Sequence, residues 1–244
     1  MLKKYGLIGY PLSHSFSKGY FTEKFKKEGI KNAAYETYPL EKISDFTTLL
    51  QNNPELVGLN VTIPYKEAII PYLDELSEEA KKIGAVNTIK IINGKKIGYN
   101  SDVVGFEKSL IQHLKPTHNK ALVLGTGGAA KAVWFVLKKL NIPYLKVSRT
   151  ASENIIAYDT ISIDLVKKYP LIINTTPLGM SPKLESKPDI PYQALTKNHF
   201  LYDLVYNPQT TLFLEMGQKM GATIQNGLPM LHGQAERSWE LWNT

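Results

Sequence analysis

The chain has no cysteine. Disulfides, thiolate metal sites and cysteine nucleophiles are excluded at the outset, and stability has to come from a packed core. Long apolar runs are missing too, since nothing approaches the roughly 20 consecutive residues that span a bilayer. The N-terminal MLKKYGLIGYPLSHS is basic at first, but its apolar part is short and is broken by Pro11 and polar residues. A secretory signal needs a longer apolar run and a small-residue cleavage site. These absences predict a cytoplasmic protein with no membrane partner, so the acceptor pattern Asn60-Val61-Thr62 counts as a chance match to a glycosylation site. Histidine is scarce as well: the five residues His14, His113, His118, His199 and His232 show no metal-ligand spacing, and no metal site is expected.

What is present is ordinary in amount and informative in order. The 244 residues, 43% hydrophobic and 21% charged, suffice for one large domain or two small ones. The net charge of +7 and pI near 9.2 come from scattered lysines (KKY, KFKKEG, LKK, VKK) interleaved with acids. No basic arm or finger spacing points to nucleic acid. Diffuse positive charge suits a phosphate-rich cofactor or a carboxylate substrate at least as well.

Short apolar runs alternate with helix-length amphipathic segments, the pattern of βαβ units and mainly parallel sheets. KYGLIGY, AAYETYPL and LVGLNVTI read as strands. SKGYFTEKFKKEG reads as a helix with Tyr20, Phe21 and Phe25 toward the core, stopped by Gly29, and ISDFTTLLQNN as a second helix. YKEAIIPYLDELSEEAKKIG reads as helical in two pieces broken near Pro71. Asn93-Gly94 predicts a hairpin within AVNTIKIINGKKIGYN. A helix, DVVGFEKSLIQHL, opens the second half. The later strands are ALVL, YLKVSRT, LIINTTP, FLYDLVY and ATIQNG, with helices after Gly127 and over QTTLFLEMGQKM. Leu228, Leu231, Ala235, Trp239 and Trp242 give the last segment one apolar helix face. A break near Asn100 divides the chain into two domains, and the final helix could return to the first.

Gly125-Thr126-Gly127-Gly128-Ala129-Ala130 fits G-x-G-x-x-A, and it follows a buried strand and opens a helix, the context that a dinucleotide fingerprint requires. Gly125 permits the turn, Gly127 lets backbone approach a pyrophosphate, and Ala130 keeps helix and strand close. The next strand ends Ser148-Arg149-Thr150, where a NAD site usually carries an acid; an arginine between two hydroxyls suits a 2′-phosphate and favours NADP(H). Hydride transfer to a carbonyl also needs a proton donor, which here has to be Lys, Tyr, Asp or His. Lys66, just past a strand end, and Asp102, at the domain junction, are candidates, because a carboxylate keeps a nearby lysine protonated and oriented.

GYPLSHSFS, NVTIPYKEA, GAVNT, YNSDVVGF, LGTGGAAKAV, SRT, NTTPLGM, YDLVYNP and NGLPMLHGQA occur in the order and at the spacing of shikimate dehydrogenases, and the chain resembles that family over nearly its whole length. The resemblance implies two α/β domains flanking a cleft. One is an N-terminal substrate-binding domain, residues 1–101 plus 228–244, and the other a Rossmann-type NADP-binding domain, residues 102–227. It implies reversible NADPH-dependent reduction of 3-dehydroshikimate to shikimate, on the route to chorismate and aromatic amino acids, with Lys66 and Asp102 as the acid–base pair. Ser15 and Ser17 would hold the substrate carboxylate, with Tyr206 nearby, while Asn60, Thr62, Asn87 and Gln234 would bind ring hydroxyls. Thr175 would edge the cofactor, with Val205 and Gly227 near the nicotinamide. Two departures stand out: Ser152-Glu153-Asn154 follows Arg149 where relatives often carry a second basic residue, and Val103 replaces a common glycine. A quinate/shikimate dehydrogenase of broader substrate and cofactor use is the nearest alternative, and a non-catalytic nucleotide-binding regulator the next. The expected partners are a small-molecule substrate and no nucleic acid, in a monomer or homodimer.

Overall fold

A computed structural model describes residues 2–12 and 16–244. In chain order the elements are β1 (Lys3–Gly9), α1 (Phe16–Lys27), β2 (Ala33–Pro39), α2 (Phe46–Asn52), β3 (Leu56–Val61), β4 (Glu75–Leu76), α3 (Glu78–Ile83), β5 (Thr88–Ile92), β6 (Lys95–Tyr99) and α4 (Asp102–Ile111). They continue with β7 (Ala121–Leu124), α5 (Gly128–Lys139), β8 (Tyr144–Ser148), β9 (Ile155–Ala157), α6 (Ile163–Lys168), β10 (Leu171–Asn174), β11 (Phe200–Asp203), α7 (Leu212–Lys219), β12 (Thr223–Gln225) and α8 (Leu228–Asn243). The chain forms two compact units, residues 1–101 with 235–244, and residues 102–234. The second division thus falls inside α8, seven residues beyond the 227/228 boundary expected from sequence.

The first unit holds a mixed sheet in the order β2-β1-β3-β5-β6-β4. β1 pairs in parallel with β2 and β3, whereas β3–β5 and β5–β6 are antiparallel. The β5–β6 hairpin turns on Asn93 and Gly94, whose φ values of 51° and 77° are the left-handed pair that such a turn needs. Alternation along the strands sends Ile8, Leu59 and Val61 into one core cluster and Tyr5 and Leu7 into another, where they meet Phe21, Phe25, Tyr35, Ala235 and Trp242. Gly58 is required at that second cluster, because a Cβ there would lie 2.5 Å from the Trp242 ring.

One expectation fails here. Residues 64–69 form turns, followed by a 3-10 turn at Ile70–Tyr72 and the short strand β4, so only the second predicted helical piece, α3, exists. Pro64 and Pro71 bracket six residues, too few to propagate an α-helix, and Pro71 lacks the N–H that would continue one.

The second unit holds a six-stranded parallel sheet, β12-β11-β10-β7-β8-β9. β7 and β10 are wholly buried four-residue strands, Ala121–Leu124 and Leu171–Asn174, the apolar signature of a sheet covered on both faces. The order reverses between β7 and β10, which is the topological switch point of a doubly wound fold.

Candidate active site

In the first unit the expected residues converge on one edge of the sheet. Ser17 follows β1, and Thr62 and Lys66 follow β3, the carboxyl ends of two parallel strands. β5 and β6 are antiparallel, and Asn60, Thr88 and Tyr99 lie side by side across β3, β5 and β6. Asn87, just before β5, therefore attaches at that same edge, and Asp102, the first residue of the second unit, follows β6 in sequence. The Lys66 carbonyl accepts a hydrogen bond from Val86 N at 2.7 Å, tying the lysine's turn to the residue before Asn87. Asn87 Oδ1 in turn accepts from Ser101 N at 2.6 Å, the residue before Asp102. Ser15 lies outside the described residues.

Asn60 is engaged at both ends of its amide. Oδ1 accepts from the Tyr35 hydroxyl at 2.8 Å, and Nδ2 donates to Asn87 O and to Ser238 Oγ at 3.2 and 2.8 Å. These bonds anchor the Asn60 amide within the fold. Sequence reasoning passed over Thr88, Ser101 and Ser238, which complete this buried cluster. A signal existed for the last. Ser238 stands three residues after Ala235 and four before Trp242, a polar residue on an apolar helix face.

In the second unit Gly125–Gly128 follows β7, Ser148-Arg149-Thr150 ends β8, Thr175 follows β10, Val205 follows β11 and Gly227 follows β12. All stand at carboxyl ends of parallel strands flanking the switch point. Gly125 has φ +110°, and a Cβ there would lie 2.5 Å from Thr175 Oγ1. Thr175 is itself bound twice to Leu124 O, through N and Oγ1, both at 2.8 Å. A Cβ at Gly127 would meet nothing within 4 Å, so the backbone opening α5 is bare on that side, as close approach of a pyrophosphate demands. Thr126, Gly128, Ala129 and Ala130 complete that turn and the first helical residues. Gly227 N donates to Val205 O at 3.1 Å, and a Cβ on Gly227 would fall on the Leu204 carbonyl. Arg149 is exposed, and Glu153 and Asn154 (φ 61°) form the tip of a tight turn closed by paired Ser152–Ile155 hydrogen bonds.

A bracket of buried polar groups joins two of these loops. Asp203 Oδ1 accepts from Asn174 Nδ2 and Val205 N, both at 3.0 Å, and Oδ2 from Thr211 Oγ1 at 2.5 Å. Asn174 Oδ1 accepts from Thr176 N and Oγ1. Burial pushes the Asp203 carboxyl up to about 6, against these hydrogen bonds. Tyr206 also belongs to the second unit, and burial raises its phenol. Gln234, in α8, is the second unit's last residue. Among the described residues no group of three metal-ligating side chains occurs, and no helix is long and apolar enough to cross a membrane.

Residues 7–89 match the family model described as the shikimate dehydrogenase substrate binding domain. The NADP(+)-type shikimate dehydrogenase of Methanococcus maripaludis is 40% identical over 98% of this chain and 91% of its own length. Among solved structures, that of Aquifex aeolicus shikimate dehydrogenase superposes with TM-score 0.89 at 33% identity, covering 99% of this chain and 92% of that one. The Thermus thermophilus shikimate 5-dehydrogenase solved with NADP(H) and shikimate gives 0.87 at 31%, covering 99% and 93%.

Proposed function

The chain belongs to the shikimate dehydrogenase family, and we propose that it interconverts 3-dehydroshikimate and shikimate with Lys66 and Asp102 as the proton-handling pair. The observation that carries this is the shared strand edge, where the turn of Lys66 is bonded to Val86 and the Asn87 side chain to the residue preceding Asp102. NADPH, when bound, supplies the hydride. Gly125 to Ala130 would hold its pyrophosphate, Ser148, Arg149 and Thr150 its 2′-phosphate, and Thr175, Val205 and Gly227 its nicotinamide half.

The chain's own side chains divide the remaining work. Ser15, Ser17 and Tyr206 hold the substrate carboxylate through hydroxyl donors. Asn60, Thr62, Asn87 and Gln234 read the ring hydroxyls, and the Asn60 amide also donates to the Asn87 carbonyl. The Lys66 ammonium gives its proton to the carbonyl oxygen in reduction and takes it back in the reverse direction, while the Asp102 carboxylate orients the ammonium.

The test is nicotinamide absorbance with purified protein and four mixtures, shikimate or quinate with NADP or NAD. Fast reduction confined to shikimate with NADP is expected. Comparable turnover with quinate or NAD would move the protein to the broader-specificity branch of the family. Silence in all four from folded protein would overturn the reading.

A further inference from the structure

Three hydroxyls meet in the interior of the first unit. Thr88 Oγ1 lies 3.0 Å from Ser101 Oγ and 2.8 Å from Ser238 Oγ, and the last two are 3.1 Å apart, closing a triangle. All three residues are 0% exposed. Hydroxyls sealed this completely cost stability unless each finds a partner, so their partners determine what the triangle does.

Two amides flank it, and their orientations are fixed by groups with no choice of role. Asn60 Nδ2 faces the Asn87 carbonyl, which can only accept, so the Asn60 nitrogen must be on that side, and it donates to Ser238 Oγ. Asn87 Oδ1 faces Ser101 N–H, which can only donate, so the Asn87 oxygen must be on that side. It also accepts from Ser101 Oγ at 3.1 Å and Thr88 Oγ1 at 3.2 Å. Tyr35 donates into Asn60 Oδ1 at 2.8 Å, and the Ser17 hydroxyl is a second polar neighbour of the Tyr35 phenol. Tyr35 thus donates into Asn60 and Asn60 into the Ser238 hydroxyl, while Ser101 and Thr88 donate into Asn87 Oδ1; within the triangle either hydroxyl of each pair can be the donor. Three donors therefore hold Asn87 Oδ1 and with it the orientation of the whole amide.

We propose that Ser238, acting with Thr88 and Ser101, is a positioning residue for substrate recognition: the sealed triangle fixes the rotamer and amide orientation of Asn87. Ser238 touches no substrate. It acts from the last helix through the core, and its hydroxyl replaces the apolar atom that the helix face would otherwise place there. This rests on the reading above, in which Asn87 meets a ring hydroxyl.

Ser238→Ala and Tyr35→Phe cut the chain at separate points, and steady-state kinetics with shikimate and NADP reads the effect. We expect the KM for shikimate to rise about tenfold in Ser238→Ala, the loss of one buried hydrogen bond, and by less in Tyr35→Phe. The KM for NADP should stay at its wild-type value, which a general loosening of the protein would not leave untouched. The double variant should rise no further than the larger single effect, because both break one connected path. If Ser238→Ala does not fold, Thr88→Val removes another corner of the triangle at similar volume and takes its place. An unchanged shikimate KM in folded variants, or two effects that simply multiply, would overturn the proposal. Wild-type protein measured alongside separates the two levels: no turnover of shikimate sinks the functional reading itself, whereas turnover with unshifted variants sinks only the positioning role.

Discussion

A lysine that passes its proton to a carbonyl must take up another before the next turnover. Lys66→Ala should lower kcat by about 10²–10⁴-fold while NADP binding, followed by fluorescence titration, is unchanged; near-normal turnover would remove Lys66 from the chemistry. Arg149→Asp should raise the KM for NADP far more than that for NAD, and equal effects on both would show that Arg149 does not read the 2′-phosphate. Glu153 sits at the tip of a tight turn, and Glu153→Lys should lower the KM for NADP selectively. At this scale the sequence was most legible in position, with Lys66 standing past the end of β3 and Arg149 just past the end of β8. It was least legible for Ser238 and Thr88. Their importance lies in partners from distant strands, at separations of 178 and 150 residues for the Ser238 contacts, which no local pattern encodes.

Elements with strong local rules were readable, and those held by neighbours were not. The Asn93-Gly94 turn announced the β5–β6 hairpin because few residues adopt two successive positive φ values. Ser77 caps α3 and Gly84 ends it in the left-handed conformation, both standard stop and start chemistry. By contrast β4 is two residues long and exists only through its pairing with β6, and residues 151–169 carry no strong period although they form β9 and α6. Helix α8 illustrates how packing fixes an element. Trp242 seats against Gly58 and donates its indole N–H to Ile89 O at 2.9 Å. Gly58→Ala should therefore destabilise the protein by about 1–3 kcal/mol, the usual cost of overpacking. Urea unfolding followed by tryptophan fluorescence would register this, and a midpoint equal to wild type would mean that the indole can retreat.

Stability of the whole protein should carry a pH signature from Asp203. Burial pushes its carboxyl from the ordinary carboxylate range up to about 6, so the folded state holds the proton more tightly than the unfolded chain. The contribution is full below about pH 4 and is lost as pH rises through 6. Unfolding midpoints of wild type and Asp203→Asn from pH 4 to 7 should show the wild-type advantage shrinking by on the order of 2 kcal/mol; a constant difference would contradict the assignment. His118 acts with the opposite sign. Burial lowers its imidazole below 6.5, so its share of stability is present above that pH and fades as the solution becomes more acid.

The C-terminal ten residues, Ala235–Thr244, complete the first unit, while everything from Asp102 to Gln234 belongs to the other. During synthesis, then, the first hundred residues leave the ribosome without the helix that covers Tyr5, Phe21 and Phe25. They wait roughly ten seconds or more, at about 5–20 residues per second, while the whole nucleotide-binding unit is made. The unit whose strands are made earlier closes only after the other unit has been made. Its aromatic face stays uncovered until translation delivers Trp239 and Trp242.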